Sequence, residues 1–190
     1  VIANIFSLFE SNADSKESKS NTPNSERTVA PSPIDIPLDT EYLDLSNKFL
    51  LGVDLSLYKN IKTLNLHYVK GLTAAQFNAI DKSSITSLNL SGIDITNFDF
   101  SKFENLEELT LIYTQNLTDA QIKSIPNKTS IKKLTLDFVD VAGLDFSEFT
   151  GLKELSLPHV KGLTSTQFNA IDKPSIIKLK LTNVNAENFI

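Results

Sequence analysis

Apolar residues recur along this chain in a fixed phrase: an aliphatic residue, two mostly polar positions, a leucine, one polar position and a second leucine. The first slots fall at Thr40, Ile61, Ile85, Leu106, Ile131, Leu152 and Ile176, with Thr40 the one polar occupant. The spacings run 21, 24, 21, 25, 21 and 24 residues, so short and long units alternate. A fixed period in this range marks supersecondary units that stack on one another.

The pairs Leu43/Leu45, Leu64/Leu66, Leu88/Leu90, Leu109/Leu111, Leu134/Leu136, Leu155/Leu157 and Leu179/Leu181 are two apart, and residues two apart share one face of a strand. The residues between them are Asp44, Asn65, Asn89, Thr110, Thr135, Ser156 and Lys180, all polar. The alternation predicts strands buried on one face and wet on the other. One such strand cannot bury its leucines alone, whereas strands stacked roughly 4.8 Å apart bury them against each other.

The segments between strands are of two kinds. In the long units Thr73, Thr118 and Thr164 precede Gln76, Gln121 and Gln167 by three residues. That spacing is a capping box, in which the threonine oxygen accepts from a first-turn N–H and the glutamine reaches back to the cap. Each long unit is thus expected to carry a short helix, with Leu72, Phe77 and Ile80, then Leu117, Ile122 and Ile125, then Leu163, Phe168 and Ile171 as its inward stripe. The short units place Val53, Leu55 and Leu57, or Phe98, Phe100 and Phe103, or Leu144, Phe146 and Phe149, on an extended or loosely turned leg. These rings read as a core spine. Asp54, Asp99 and Asp145 recur with the same period, which points to local turn hydrogen bonding.

The pattern from Thr40 to the end resembles the leucine-rich repeat family. That resemblance implies an α/β solenoid with a parallel β-sheet on the concave side and short helices and extended legs on the convex side, and it implies protein binding on the concave face. The common family form carries an asparagine at the ninth position of each repeat. Here the occupants are Lys48, Val69, Ile93, Thr114, Val139, Val160 and Val184, so apolar packing is expected to close that corner.

Around the repeats, residues 34–190 read as the leucine-rich repeat domain, its last unit incomplete; residues 1–9 form an apolar N-terminal segment and residues 10–33 a flexible linker. The apolar start fits a docking helix, the end of a secretion signal or a terminus tucked against the domain. The alternation Ile34, Ile36, Leu38 predicts an extended leg that caps the first unit. No run approaches the roughly 18 apolar residues of a membrane span, so no transmembrane segment is expected. A secreted or cell-surface setting is favoured over a cytoplasmic one.

Composition narrows the chemistry. Cysteine is absent, which excludes disulfides, zinc thiolates and thiol nucleophiles. A net charge of −5 argues against nucleic acid, which asks for a clustered basic face. His67 and His159 fall four units apart, about 19 Å at the strand spacing, so they cannot share a metal or a proton. No catalytic triad order, metal-binding helix or phosphate loop appears, and neither an enzyme nor a cofactor is expected. The sequons at Asn89, Asn116 and Asn127 are of the kind an asparagine-rich chain produces by chance.

What remains is a row just past the leucine pairs: Asn47, Tyr68, Gly92, Tyr113, Phe138, His159 and Asn183. Tyrosine brings a large rigid apolar surface and one hydroxyl to an interface. The expected binding surface comprises Tyr68, Gly92, Tyr113, Phe138 and His159, with Asn65, Asn89 and Thr110 on the strands. Gly92 is expected to leave a notch about 10 Å wide between Tyr68 and Tyr113. The opposing reading lays these rings flat over backbone. The expected partner is another protein; the alternative is a structural or self-assembling surface protein, associating through an uncapped C-terminal repeat, or part of a longer repeat protein, and glycan binding ranks below these because tryptophan is absent.

Overall fold

The computed structural model describes residues 35–184. Residues 1–9, the linker over 10–33, Ile34 and the tail of the last unit lie outside them. The described elements belong to one compact unit. They form a single parallel sheet of seven strands with short helices, an α/β arrangement.

The strands are β1 (Tyr42–Asp44), β2 (Thr63–Asn65), β3 (Ser87–Asn89), β4 (Glu108–Ile112), β5 (Lys133–Asp137), β6 (Glu154–Ser156) and β7 (Lys178–Lys180), and they lie side by side in chain order. Register follows the leucines: Leu43 pairs with Leu64, Leu64 with Leu88, Leu88 with Leu109, Leu109 with Leu134, Leu134 with Leu155 and Leu155 with Leu179. A slip of one residue would turn every leucine to solvent, so burial of one face holds this register. From β1 to β6 both leucines of each pair are no more than 1% exposed.

Three helices lie in the long passages: α1 (Ala74–Ala79), α2 (Asp119–Ser124) and α3 (Ser165–Ala170). Each opens with the expected capping box, complete in both directions. The glutamine does more than cap. Gln76 Nε2 donates to the carbonyls of Leu50 and Val53 at 2.7 and 2.8 Å, Gln121 to Ile95 and Phe98 at 2.8 and 3.2 Å, and Gln167 to Val141 and Leu144 at 2.6 and 2.8 Å. One side chain thereby starts a helix and ties it to the preceding short passage. Serines make a second set of rungs: Ser84, Ser130 and Ser175 donate to the carbonyls of Ile61, Leu106 and Leu152 at 2.9, 2.7 and 2.9 Å.

The helices end on an ammonium group. Lys82 donates to Phe77 O, Lys128 to Lys123 O and Lys173 to Phe168 O, each at 2.8 Å, where the carbonyls of a last turn carry partial negative charge. Lys82 is 1% exposed and its Nζ sits 4.7 Å from the Phe77 ring. Burial pushes its pKa down to about 8, against the opposing pull of the Asp99 carboxylate.

In the short passages Asp54 and Asp145 cap single 3-10 turns, Leu55–Leu57 and Phe146–Glu148, and Asp99 makes the same bond to Ser101 N at 2.8 Å. The hydroxyls of Ser56, Ser101 and Ser147, then their N–H groups, hold these three carboxyls below the usual range. Phe98, Phe100, Phe103, Phe146 and Phe149 are buried, with Phe77 stacked on Phe98 at 4.1 Å. The first short passage departs from expectation: Leu57 is half-buried, and Tyr58, 0% exposed, takes the place that Phe103 and Phe149 hold later. The corner expected to close by apolar packing does so, with Val69, Ile93, Val139 and Val160 buried; Thr114 joins them by donating to Leu90 O at 3.1 Å.

At the N-terminal end Ile36 packs on the core, but the expected extended leg is interrupted by a turn at Leu38–Asp39. Pro37 has no N–H for a ladder, and its carbonyl accepts from Thr40 N at 3.2 Å, which turns the chain into β1.

Candidate functional site

The row past the leucines shares one backbone state. Asn47, Tyr68, Gly92, Tyr113, Phe138, His159 and Asn183 have φ of 61, 50, 73, 53, 54, 54 and 55°, all left-handed. Asparagine and glycine take this conformation readily, whereas an aromatic residue there is strained by about 1 kcal/mol or more. The sheet imposes it: the strand ends and the chain must turn down into the corner. Tyr68 N donates to Ser91 O at 2.9 Å, Gly92 N to Ile112 O at 2.7 Å, Tyr113 N to Asp137 O at 2.9 Å and His159 N to Thr182 O at 2.8 Å. Each turn is held by the strand that follows it.

The common conformation aims successive side chains in parallel, and three rings stack. Tyr113 lies 4.2 Å from Phe138 and Phe138 lies 4.3 Å from His159, centroid to centroid, both pairs within 14° of parallel. The strand spacing sets this separation, so the stack needs no adjustment of the sheet. His159 Nδ1 is 3.0 Å from Asp137 Oδ1 and its Nε2 is 2.7 Å from Asn183 Nδ2. A carboxylate only accepts, so Nδ1–H donates to Asp137 and Nε2 accepts from the Asn183 amide. The row thus runs unbroken from Tyr113 to Asn183. Tyr113 is 48% exposed and Phe138 43%, which makes this a surface feature. Phe138, His159, Lys161, Gly162 and Asn183 also line a cleft of about 390 Å³.

Tyr68 stands apart from this stack. Its ring lies over Gly92 and makes an edge contact with His67 at 4.3 Å. The notch expected at Gly92 is therefore filled by Tyr68. Without a side chain at residue 92 the neighbouring ring tips into the space, and what the sequence spaced as an opening closes.

Asn65, Asn89 and Thr110 stand side by side on the sheet face opposite the leucines, in one ladder row and half-buried. The first two are engaged locally. Asn65 donates to Asp44 Oδ1 at 3.1 Å and accepts from His67 N at 3.2 Å; Asn89 Oδ1 accepts from Ser91 N and Ser91 Oγ at 3.0 and 2.6 Å. They support the strand ends from which Tyr68 and Gly92 project. Asp44 does the same for Ser46, whose N–H and then hydroxyl lower the Asp44 pKa.

Asp137 escaped the sequence reading as a site residue. Its signal was its outward place immediately before Phe138, but only the register puts it beneath His159 one strand on. Among the described residues no helix is long and apolar enough to cross a membrane. Comparison with family models, with curated proteins and with solved structures returned no match.

Proposed function

We propose that this chain is a non-enzymatic protein-binding scaffold of the leucine-rich repeat type, which holds another protein on the concave face of a solenoid. The in-register leucine ladder and the alternation of long passages that carry a capped α-helix with short passages that carry none support the repeat assignment. The binding reading rests on one observation: exposed Tyr113 and Phe138 and half-buried His159 form a stack on backbone that favours glycine or asparagine. Keeping large rings where small residues would be strain-free has a cost, and strain of this kind concentrates at functional positions. A pre-stacked set of rings loses little side-chain entropy on contact and offers a wide apolar area.

The test is Tyr113→Ala and Phe138→Ala, each assayed for affinity toward a partner identified by crosslinking. A loss of about tenfold or more is expected, with a melting temperature within a few degrees of wild type. Unchanged affinity in both variants overturns the placement.

A further inference from the structure

The chain carries three N-x-S/T triplets, at Asn89, Asn116 and Asn127, and each has the composition of an acceptor for an N-linked glycan. The structure separates them. An acceptor has to offer a free side-chain amide nitrogen and, two residues on, a hydroxyl that an enzyme can reach. Asn89 lies in β3 and is half-buried; its hydroxyl, on Ser91, is 1% exposed and already donates to Asn89 Oδ1 at 2.6 Å. Asn116 is exposed, but its amide donates to the Asp94 carboxylate, and the Thr118 hydroxyl closes the capping box of α2. Both triplets serve the fold.

Asn127 differs on each count. Asn127 and Thr129 are both exposed. The Thr129 hydroxyl donates to Asn127 Oδ1 at 2.7 Å, which sets hydroxyl and amide side by side, and Asn127 Nδ2 has no partner among the described residues. The backbone beneath them is fixed: Ser130 donates through its N–H and its hydroxyl to Asn127 O at 3.2 and 2.7 Å, and Lys128 reaches Glu148 at 3.1 Å. The turn does not require asparagine. The matching places in the other long units hold Asp81 and Asp172, and Asp81 Oδ1 accepts from Ser83 N and Oγ at 3.2 and 2.7 Å. Of the three, the middle unit alone sets an amide at this place, and it leaves the nitrogen free.

We propose that Asn127 is an N-glycosylation site, which takes a sugar chain from a lipid-linked oligosaccharide diphosphate. Asn127 Nδ2 bonds to C1 of the first sugar as the bond from C1 to the diphosphate oxygen breaks. The diphosphate leaves with that electron pair, and one amide proton passes to a base of the transferase. Pro126, Asn127 and Thr129 are all exposed, so the attached chain projects into solvent. Asn127 precedes β5 and Phe138 follows it, so the sugar stands at the other end of the strand from the ring stack and leaves that surface open.

The experiment passes the full 190-residue chain through the secretory pathway of cultured eukaryotic cells behind a cleavable leader. Intact mass is read before and after peptide N-glycosidase, and peptide mapping in heavy-oxygen water locates the modified residue. One glycan on Asn127 is expected, with Asn89 and Asn116 unmodified in the secreted chain. Asn127→Asp and Thr129→Ala are each expected to lose it. Asn127→Asp copies the residue that stands at the same place in the other two long units and is expected to melt with the wild type, so loss of the glycan is not loss of the fold. A wild-type chain without a glycan, a glycan that survives Asn127→Asp, or a glycan on Asn89 or Asn116 of the folded chain overturns the proposal.

Discussion

The ring of Tyr68 lies across the α-carbon of Gly92, so closely that a β-carbon at residue 92 would meet Cδ1 and Cε1 of the tyrosine. The two residues belong to neighbouring strand ends and share a left-handed backbone, with φ of 50 and 73°. One lacks a side chain and the other fills the space.

Gly92→Ala is therefore expected to act twice, by straining a positive-φ residue and by driving the Tyr68 ring off its seat. Gly52 has a similar φ of 75° and open space within 4 Å of where a β-carbon would stand, so Gly52→Ala isolates the strain alone. Urea unfolding should show a loss of about 1 kcal/mol for Gly52→Ala and about 2 kcal/mol or more for Gly92→Ala. Equal losses would place Tyr68 elsewhere in solution.

The three glutamines carry two duties that one substitution separates. Glutamate at residue 121 can still accept from Thr118 N, as Gln121 Oε1 does at 2.9 Å, but it cannot donate to Ile95 O and Phe98 O. Gln121→Glu should cost nearly as much as Gln121→Ala, about 2 kcal/mol, because both leave those carbonyls without the amide. A glutamate variant as stable as wild type would reduce the residue to a helix cap.

Lys82 should make stability rise in mild alkali. With its pKa pushed down by burial to about 8 from an ordinary 10.5, the unfolded chain between those values holds a proton that the folded chain has released. Stability from this group is flat below pH 8 and climbs with pH across that window, at up to about 1 kcal/mol per pH unit. Unfolding measured from pH 7 to pH 10 should show the wild type gaining on Lys82→Met. A difference independent of pH would mean the ammonium is solvated.

Tyr58 Oη is buried and has no hydrogen-bond partner among the described residues. Phe103 and Phe149 occupy the corresponding places in the later short passages. Tyr58→Phe removes the unsatisfied hydroxyl and is expected to stabilise the fold by about 1 kcal/mol, read as a rise in the urea midpoint at unchanged slope.

Much of the fold is legible in the sequence because its causes are short-range. A leucine two residues from another must share its face; a threonine three residues before a glutamine can close a capping box; an aspartate two residues before a serine can hold a turn. Thr118 with Gln121 and Asp145 with Ser147 needed only the chain between them. The core corner at Val69, Ile93, Val139 and Val160 was readable for the same reason, since each follows its leucine at one spacing.

The tertiary structure alone decided what the row past the leucines became. Tyr68, Tyr113, Phe138 and His159 are spaced alike in sequence, yet three stack in the open and one closes over Gly92. The outcome depends on which residue stands 21 to 25 positions away on the adjoining strand, and no local pattern encodes that neighbour. Register likewise gave Gln121 its carbonyls on the preceding passage, Lys82 its burial against Phe103, and His159 its Asp137. The sequence determined that leucines must face inward and stack. Only strand pairing, which brings distant residues within about 5 Å, determined which polar and aromatic groups meet on the side that water sees.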